Sequence, residues 1–434
     1  MASTYLTRTP GTGQTSRTKG TLSVWLKRAK TDEEDFIFNG FESSSNQIKI
    51  TFKSDAKLQI NTIQSGSNHL VYETNRLFRD TSAWYHIVIA IDTTLATAGD
   101  RCRLYVNGVE ETSFSTETHF SQNDLSFLTE DNRIIYIGSQ QGTANYFDGS
   151  MSHYHLIDGT QYQASDFGEF DANGVWKIKT SPSVNYGTHG FFILKDGNSV
   201  TDQSGNGNDC TVGGGTLTNT EDSPSNVFAT NNSLWKQESS RYLTHTKGNT
   251  MISGGGSATW YQTPATLAFN SGKFYWECKF NSGTNLFKNT VGVIDVEKTQ
   301  ESGQFQDKIG SVFFKNEDGG DYRLDNSNVD SNWGTLAQND ILGVAVDMDA
   351  GTPTVKYYKN GTLLGTVNAS SLSGKFVTPA HMIYTSGEYQ VNYGNGYFGT
   401  TAVSSAGTNA SGIGIFEYDV PTGYTALSTK GLNL

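Results

Sequence analysis

Apolar and polar residues alternate with a period of two along several stretches of this chain, the pattern of half-buried β-strands. Residues 84–92 (WYHIVIAID) set Tyr85, Ile87, Ile89 and Ile91 on one face. Residues 273–280 (KFYWECKF) set Phe274, Trp276, Cys278 and Phe280 on one face, and Lys273, Tyr275, Glu277 and Lys279 on the other. Residues 342–348 repeat the pattern with Leu342, Val344, Val346 and Met348. Such strands are expected to turn one face to a core and the other to solvent or a neighbouring surface, as in an antiparallel sandwich. Two aromatic-bearing stretches, 101–114 and 355–367, each turn on Asn-Gly, at Asn107-Gly108 and Asn360-Gly361. That dipeptide predicts a two-residue type I′ hairpin, because both turn positions need positive φ. The hairpins lie in opposite halves of the chain and mark two separate sandwiches.

The expected fold is therefore all-β: two antiparallel β-sandwich (jelly-roll or concanavalin-like) domains in tandem, with little helix. One helical turn is expected at residues 165–170, capped by Ser165. Residues 1–20 are polar and read as an arm, and 21–212 as the first sandwich. Residues 213–240 hold few large apolar groups and many turn formers, and read as a linker. Residues 241–434 read as the second sandwich with a C-terminal tail.

Composition narrows the function classes. With 434 residues there is room for two or three domains, each with its own core. Forty-seven Gly against 7 Pro, with no Gly-X-Y period, suits strands joined by tight turns. A net charge of −12 without a basic patch argues against nucleic acid and against an anionic membrane as partners. No apolar run is long enough to span a bilayer, and the first twenty residues lack the apolar core of a secretory signal. Cys102, Cys210 and Cys278 are odd in number, far apart and without metal spacing. They are expected as buried strand or strand-end thiols in a chain made in a reducing cytoplasm.

Residues 83–114, with 147–176 (FDGSMSHYHLIDGTQYQASDFGEFDANGVW), 202–209 (DQSGNGND) and 222–232 (DSPSNVFATNN), resemble the LamG-like, concanavalin-type domains of tailed-bacteriophage structural proteins, marine and cyanophage types especially. Residues 272–279, 340–349 and 355–365 resemble a SPRY (B30.2-like) domain, and 416–434 is similar to its tail. The resemblance implies a virion structural protein, assembled in the host cytoplasm and exposed on the particle surface. Its implied partners are other virion proteins and host-surface glycans or a receptor, with the chain itself a homo-oligomer. No nucleic-acid partner, membrane insertion or cofactor is expected.

Catalytic and metal chemistry find weak footholds. One retaining glycosidase family on this scaffold carries carboxylates on alternate strand positions, about 5 Å apart. Residues 293–297 (VIDVE) come nearest with Asp295 and Glu297, but Val293 stands where the first carboxylate is needed. His153 and His155 would put two imidazoles on one strand face, half a zinc site lacking a third ligand. Asp148, Asp158 and Asp202 could offer oxygens to calcium at the sandwich rim, although Asp148-Gly149 and Asp158-Gly159 read equally well as turns. The glycine runs at 213–215 and 254–256 lack the Lys-Ser/Thr ending of a phosphate loop.

Binding needs less machinery. A loop aromatic offers a flat apolar face to a sugar or a protein side chain, and an adjacent polar group fixes orientation. Trp260, Tyr261, Tyr322, Arg323, Asn332 and Trp333 combine those types in expected loops of the second domain. Asn145-Tyr146 is a lesser pair in the first. The competing reading is that these aromatics cap the core from its rim. The expected function is a non-enzymatic virion surface protein, a tail fibre or appendage that binds host-envelope glycans or proteins. The alternatives are a capsid decoration or head-fibre protein and a polysaccharide hydrolase or lyase.

Overall fold

A computed structural model describes residues 3–195, 197, 199–236, 243–282, 288–317, 319–329 and 331–434. The chain divides into two compact units, Met1–Asn219 and Thr220–Leu434. Both are all-β, and helix among the described residues is limited to short 3₁₀ turns.

Unit 1 is built on two antiparallel sheets. The larger runs Phe114–Thr118, Ser67–Leu77, Lys57–Gln64, Asn46–Phe52, Asp35–Ser43, Ile134–Ile137, Tyr5–Arg8 and Thr211–Gly214, each strand bonded to the next. The smaller runs Phe191–Ile193, Gly149–Asp158, Lys19–Arg28, Tyr85–Asp92, Cys102–Val106 and Val109–Glu111. Alternate residues such as Ile48, Ile50 and Phe52, with Ile87, Ile89 and Ile91, form the core. The expected Asn107-Gly108 hairpin is present, with φ of 49° and 81° at its two turn residues.

Unit 2 repeats the plan. One sheet runs Thr244–Thr246, Met251–Ser253, Glu388–Asn392, Lys273–Ser282, Ile341–Asp347, Thr354–Lys359 and Thr362–Asn368. The other runs Trp260–Pro264, Val377–Tyr384, Thr290–Asp295, Ser311–Lys315, Asp321–Leu324 and Ser327–Val329. Phe274, Trp276, Cys278 and Phe280 share one core with Val344, Val346 and Tyr357. The second hairpin turns at Asn360 and Gly361, with φ of 48° and 80°. All three cysteines are free and buried.

Four elements differ from the sequence expectation. Within the expected arm, Tyr5–Arg8 is a strand paired on both sides, and Leu6 is only 3% exposed. One inward leucine among polar neighbours is enough to seat a four-residue strand. The expected linker is partly structured: Thr211–Gly214, which overlaps its start, closes the larger sheet of unit 1, while Phe228 and Ala229 within it are buried in unit 2. Positions 237–240 of that linker lie outside the described residues. The helical turn is Ala164–Asp166, capped by Gln163 and Asp166 rather than Ser165, and Gly168–Phe170 is a short strand.

The fourth difference concerns outward faces. Val88, Ala90 and Ile157 are buried beneath Ala164 and Phe167, so the segment after Asp158 covers the back of the smaller sheet in unit 1. Tyr275 and Ala345 are likewise buried beneath Phe416, Val420 and Tyr424. Glu277, fully buried there, accepts backbone N–H groups from Glu417 and Tyr418, both at 2.9 Å, and the Tyr275 hydroxyl at 3.2 Å. Burial pushes its carboxyl up to about 7 despite these donors, and the nearby Glu417 adds to the rise.

Two outcomes test this packing. Leu6→Ala should lower the stability of unit 1 by about 2–4 kcal/mol, because it empties a closed site; equilibrium denaturation would read this, with the transition of unit 2 unmoved. Glu277 contributes stability fully below its unfolded value near 4.5 and loses it as pH rises through about 7. Glu277→Gln should therefore gain on the wild type by roughly 3 kcal/mol between pH 4.5 and 8, seen in paired unfolding curves across that range.

Candidate binding site

Trp260, Tyr261, Tyr322 and Arg323 lie on strands, not in the loops expected for them. The strand Trp260–Pro264 pairs with Val377–Tyr384, and Asp321–Leu324 pairs with Ser311–Lys315, so their backbones are fixed by ladders. Neighbours on a strand point to opposite faces. Tyr261 and Tyr322 accordingly face the core, while Trp260 and Arg323 face outward. Trp260 rests on an outer cluster containing Phe305 and Met382 and lies 5.4 Å from the Tyr384 ring. Arg323 pairs with Asp307 at 2.7 Å and donates to the Asn326 side chain at 2.7 Å.

Trp333 stacks on Tyr322, with ring centres 5.1 Å apart and planes 23° apart. It also lies 6.1 Å from Tyr357, a residue of the opposite sheet. A Cβ at Gly365, on the next strand, would sit 2.2 Å from the indole. The indole is thus a wedge between the two sheets at one edge, and Tyr322 is its partner. Asn332 beside it has a φ of 52° and is exposed. Of the six residues, the fold joins Tyr322 with Trp333 and separates Trp260, on an outer face, from that pair.

The other chemical candidates are engaged in structure. Asp295 is the buried cap of the turn Val296–Gln300, accepting the Glu297 N–H at 3.1 Å, and Glu297 is exposed on that turn. His155 is stacked on Phe192 at 3.9 Å with Nδ1 2.9 Å from the Tyr186 hydroxyl, and burial holds it neutral, well below its ordinary value. The register shifts between Ser152 and His155, and His153 has a φ of 47°, so the two rings do not share a regular strand face. Asp158 accepts N–H groups from Thr15, Ser16 and His189 and the Thr129 hydroxyl. Asp202 accepts N–H groups from Phe192, Ser204 and Asn208. Among the described residues no three His, Cys, Asp or Glu side chains are grouped to hold a metal ion.

The outward face of the larger sheet in unit 1 carries a group that the sequence reading passed over. Tyr5 lies 6.3 Å from Tyr136 and 6.0 Å from Tyr146, all three half-buried. Gly142, Gly213 and Gly214 pack against the Tyr5 ring, which leaves no room for a side chain at those positions. Cross-strand register extends the group: Tyr136 is opposite Asn39, Asn39 opposite Lys49, and Lys49 opposite Asn61. The signal was there in the alternation of FIFNGF, QIKITF and KLQINTI, whose polar positions fall on one face.

Residues 2–164 match the family model of the concanavalin A-like lectin/glucanases superfamily, Laminin_G_3. Similar solved structures include the SPRY domain of human HERC1, at 16% identity over 33% of this chain and 87% of that one, TM-score 0.28. The TRIM65 PSpry domain is 15% identical over 38% and 89%, TM-score 0.29. Stonustoxin is 20% identical over 38% of this chain and 27% of its own, TM-score 0.29. No curated protein matches.

Gly365→Ala tests the wedge. The added methyl should displace the indole, shift and broaden Trp333 fluorescence or its indole N–H resonance, and cost about 1–3 kcal/mol. An unmoved indole signal would mean that Trp333 does not occupy the gap.

Proposed function

We propose that this chain is a non-catalytic binding protein on the surface of a tailed-phage particle, a tail fibre or appendage engaging glycans or proteins of the host envelope. The observation that carries the reading is the match of residues 2–164 to a lectin/glucanase superfamily. It falls on a sandwich whose buried Asp158 is committed to backbone N–H groups and not to a cleft. The phage assignment rests on the motifs at 147–176 and 202–209. Other virion proteins anchor the chain, and several copies on one particle raise avidity where each site is weak. In unit 2 the outward Trp260 and Arg323, with Asn332 and the exposed part of the Tyr322–Trp333 stack, supply the contacts. Tyr261 supports them from the core.

Locating the chain in whole particles by cryo-electron microscopy, with purified chain added as a competitor of adsorption, tests this reading. Density on the tail with reduced adsorption is the expected result. Density over the shell lattice would replace it with capsid decoration, and new reducing ends or unsaturated uronates from host polysaccharide would replace it with catalysis.

A further inference from the structure

The row Tyr136–Asn39–Lys49–Asn61 crosses four neighbouring strands of the larger sheet in unit 1, all on its outward face. Strands lie about 4.8 Å apart, so the row is roughly 14 Å long, enough for an oligosaccharide segment. Its polar atoms are left over in a specific way. Asn39 is 0% exposed and donates through Nδ2 to the Ile48 carbonyl at 3.1 Å and to Gln47 Oε1 at 3.3 Å. The Ile48 carbonyl can only accept, which fixes the amide orientation and leaves Asn39 Oδ1 buried with no donor among the described residues. Asn61, 8% exposed, pairs with the Asn68 side-chain amide at 3.1 Å, and with Nδ2 as the donor its buried Oδ1 has no donor among the described residues. Buried acceptors without a donor are uncommon and costly. Here two of them flank one cation in a single cross-strand row.

That cation is Lys49. It is half-buried, and among the described residues neither an ion pair nor a hydrogen bond holds its ammonium, which burial draws below its ordinary value. The charge of Glu34 reaches it, but the acidic groups on this sheet have nearer partners. Glu34 pairs with Lys53 at 2.5 Å and accepts from Asn145 at 3.1 Å. Glu73 pairs with Lys57 at 3.1 Å and accepts from Gln59 at 3.0 Å. Among the described residues Lys49 is therefore a charge on this face with no ion-pair partner in contact, and the Tyr5–Tyr136–Tyr146 group lies beyond it as an aromatic surface.

We propose that this face binds an acidic oligosaccharide: Lys49, which lies between Asn39 and Asn61 in the row, swings onto a sugar carboxylate, the two buried side-chain oxygens, bared as it moves, accept sugar hydroxyls, and Tyr136 takes a ring face. A neutral glycan would leave Lys49 unmatched, and an acidic peptide would bring no hydroxyls for the two acceptors. The inference rests on the binding reading above and adds a site and a ligand class to it.

Isothermal titration of the full chain with tetragalacturonate and with tetramannuronate, each against its methyl ester, tests the site. Saturable binding of one acid, weakened at least about tenfold by esterification and by Lys49→Gln, is the expected result. Lys49→Gln removes no ion pair or hydrogen bond among the described residues, and unchanged thermal unfolding would confirm its fold. Asn61→Ala should weaken binding as well, without erasing the preference for acid over ester. Failure of both acids to bind, equal binding of acid and ester, or binding indifferent to Lys49→Gln would each overturn the site. Competition for particle adsorption without uronide binding would remove this site alone and leave the surface-binding reading in place. Uronide binding without such competition would keep the site and remove host attachment.

Discussion

Irregular chain without helices must find partners for its backbone N–H groups somewhere, and in both units buried or half-buried carboxylates provide them. Asp158 gathers Thr15, Ser16 and His189 to one point, joining segments more than a hundred residues apart in sequence. Asp202 closes the loop around Ser204 and Asn208 onto the strand at Phe192. Glu277 holds the C-terminal segment at Glu417 and Tyr418 against the outer face of its sheet. Each carboxylate takes several donors at once, so one side chain ties down several backbone N–H groups. The acidic residues that first look like catalytic or calcium-binding groups are, for this reason, the fasteners of the loops.

The same fastening explains why the sandwiches are more than two layers thick. A strand with one apolar and one polar face can be open to solvent, yet Val88 and Ala90 in unit 1 and Tyr275 and Ala345 in unit 2 are covered. The covering segments have little regular structure, and Trp176 and Phe416 fix them by ring contacts to His86 and Tyr275.

What could be read from the chain followed the range of the signal. The two Asn-Gly hairpins and the alternating core strands are local, and Asn107, Asn360, Trp276 and Val344 stand where periodicity and turn chemistry put them. The strand Tyr5–Arg8 is too short to show a period, and its strand character comes from partners at Ile135–Ile137 and Thr211–Gly214. Trp260 and Tyr322 look like loop residues because Gly and Ser flank the first and Gly and Asn the second, while the ladders that fix them are long-range. The row through Lys49 joins four strands by register, which only the folded sheet reveals. Tyr146 was visible as an isolated aromatic, and its neighbours Tyr5 and Tyr136 were not.

The pairing of Tyr5–Arg8 with Thr211–Gly214 has a mechanical meaning. The two strands are antiparallel, with Tyr5 opposite Gly214, so the chain enters and leaves unit 1 at the same end of one short ladder. Tension applied through both ends pulls those strands apart crosswise, and their hydrogen bonds break one after another instead of sharing the load as in a sheared pair. The Tyr5 ring clasped by Gly213 and Gly214 is the first contact to give way. Unit 1 would therefore lengthen by peeling its outermost strands at low force while its inner strands stay folded, making this edge a built-in extensible joint.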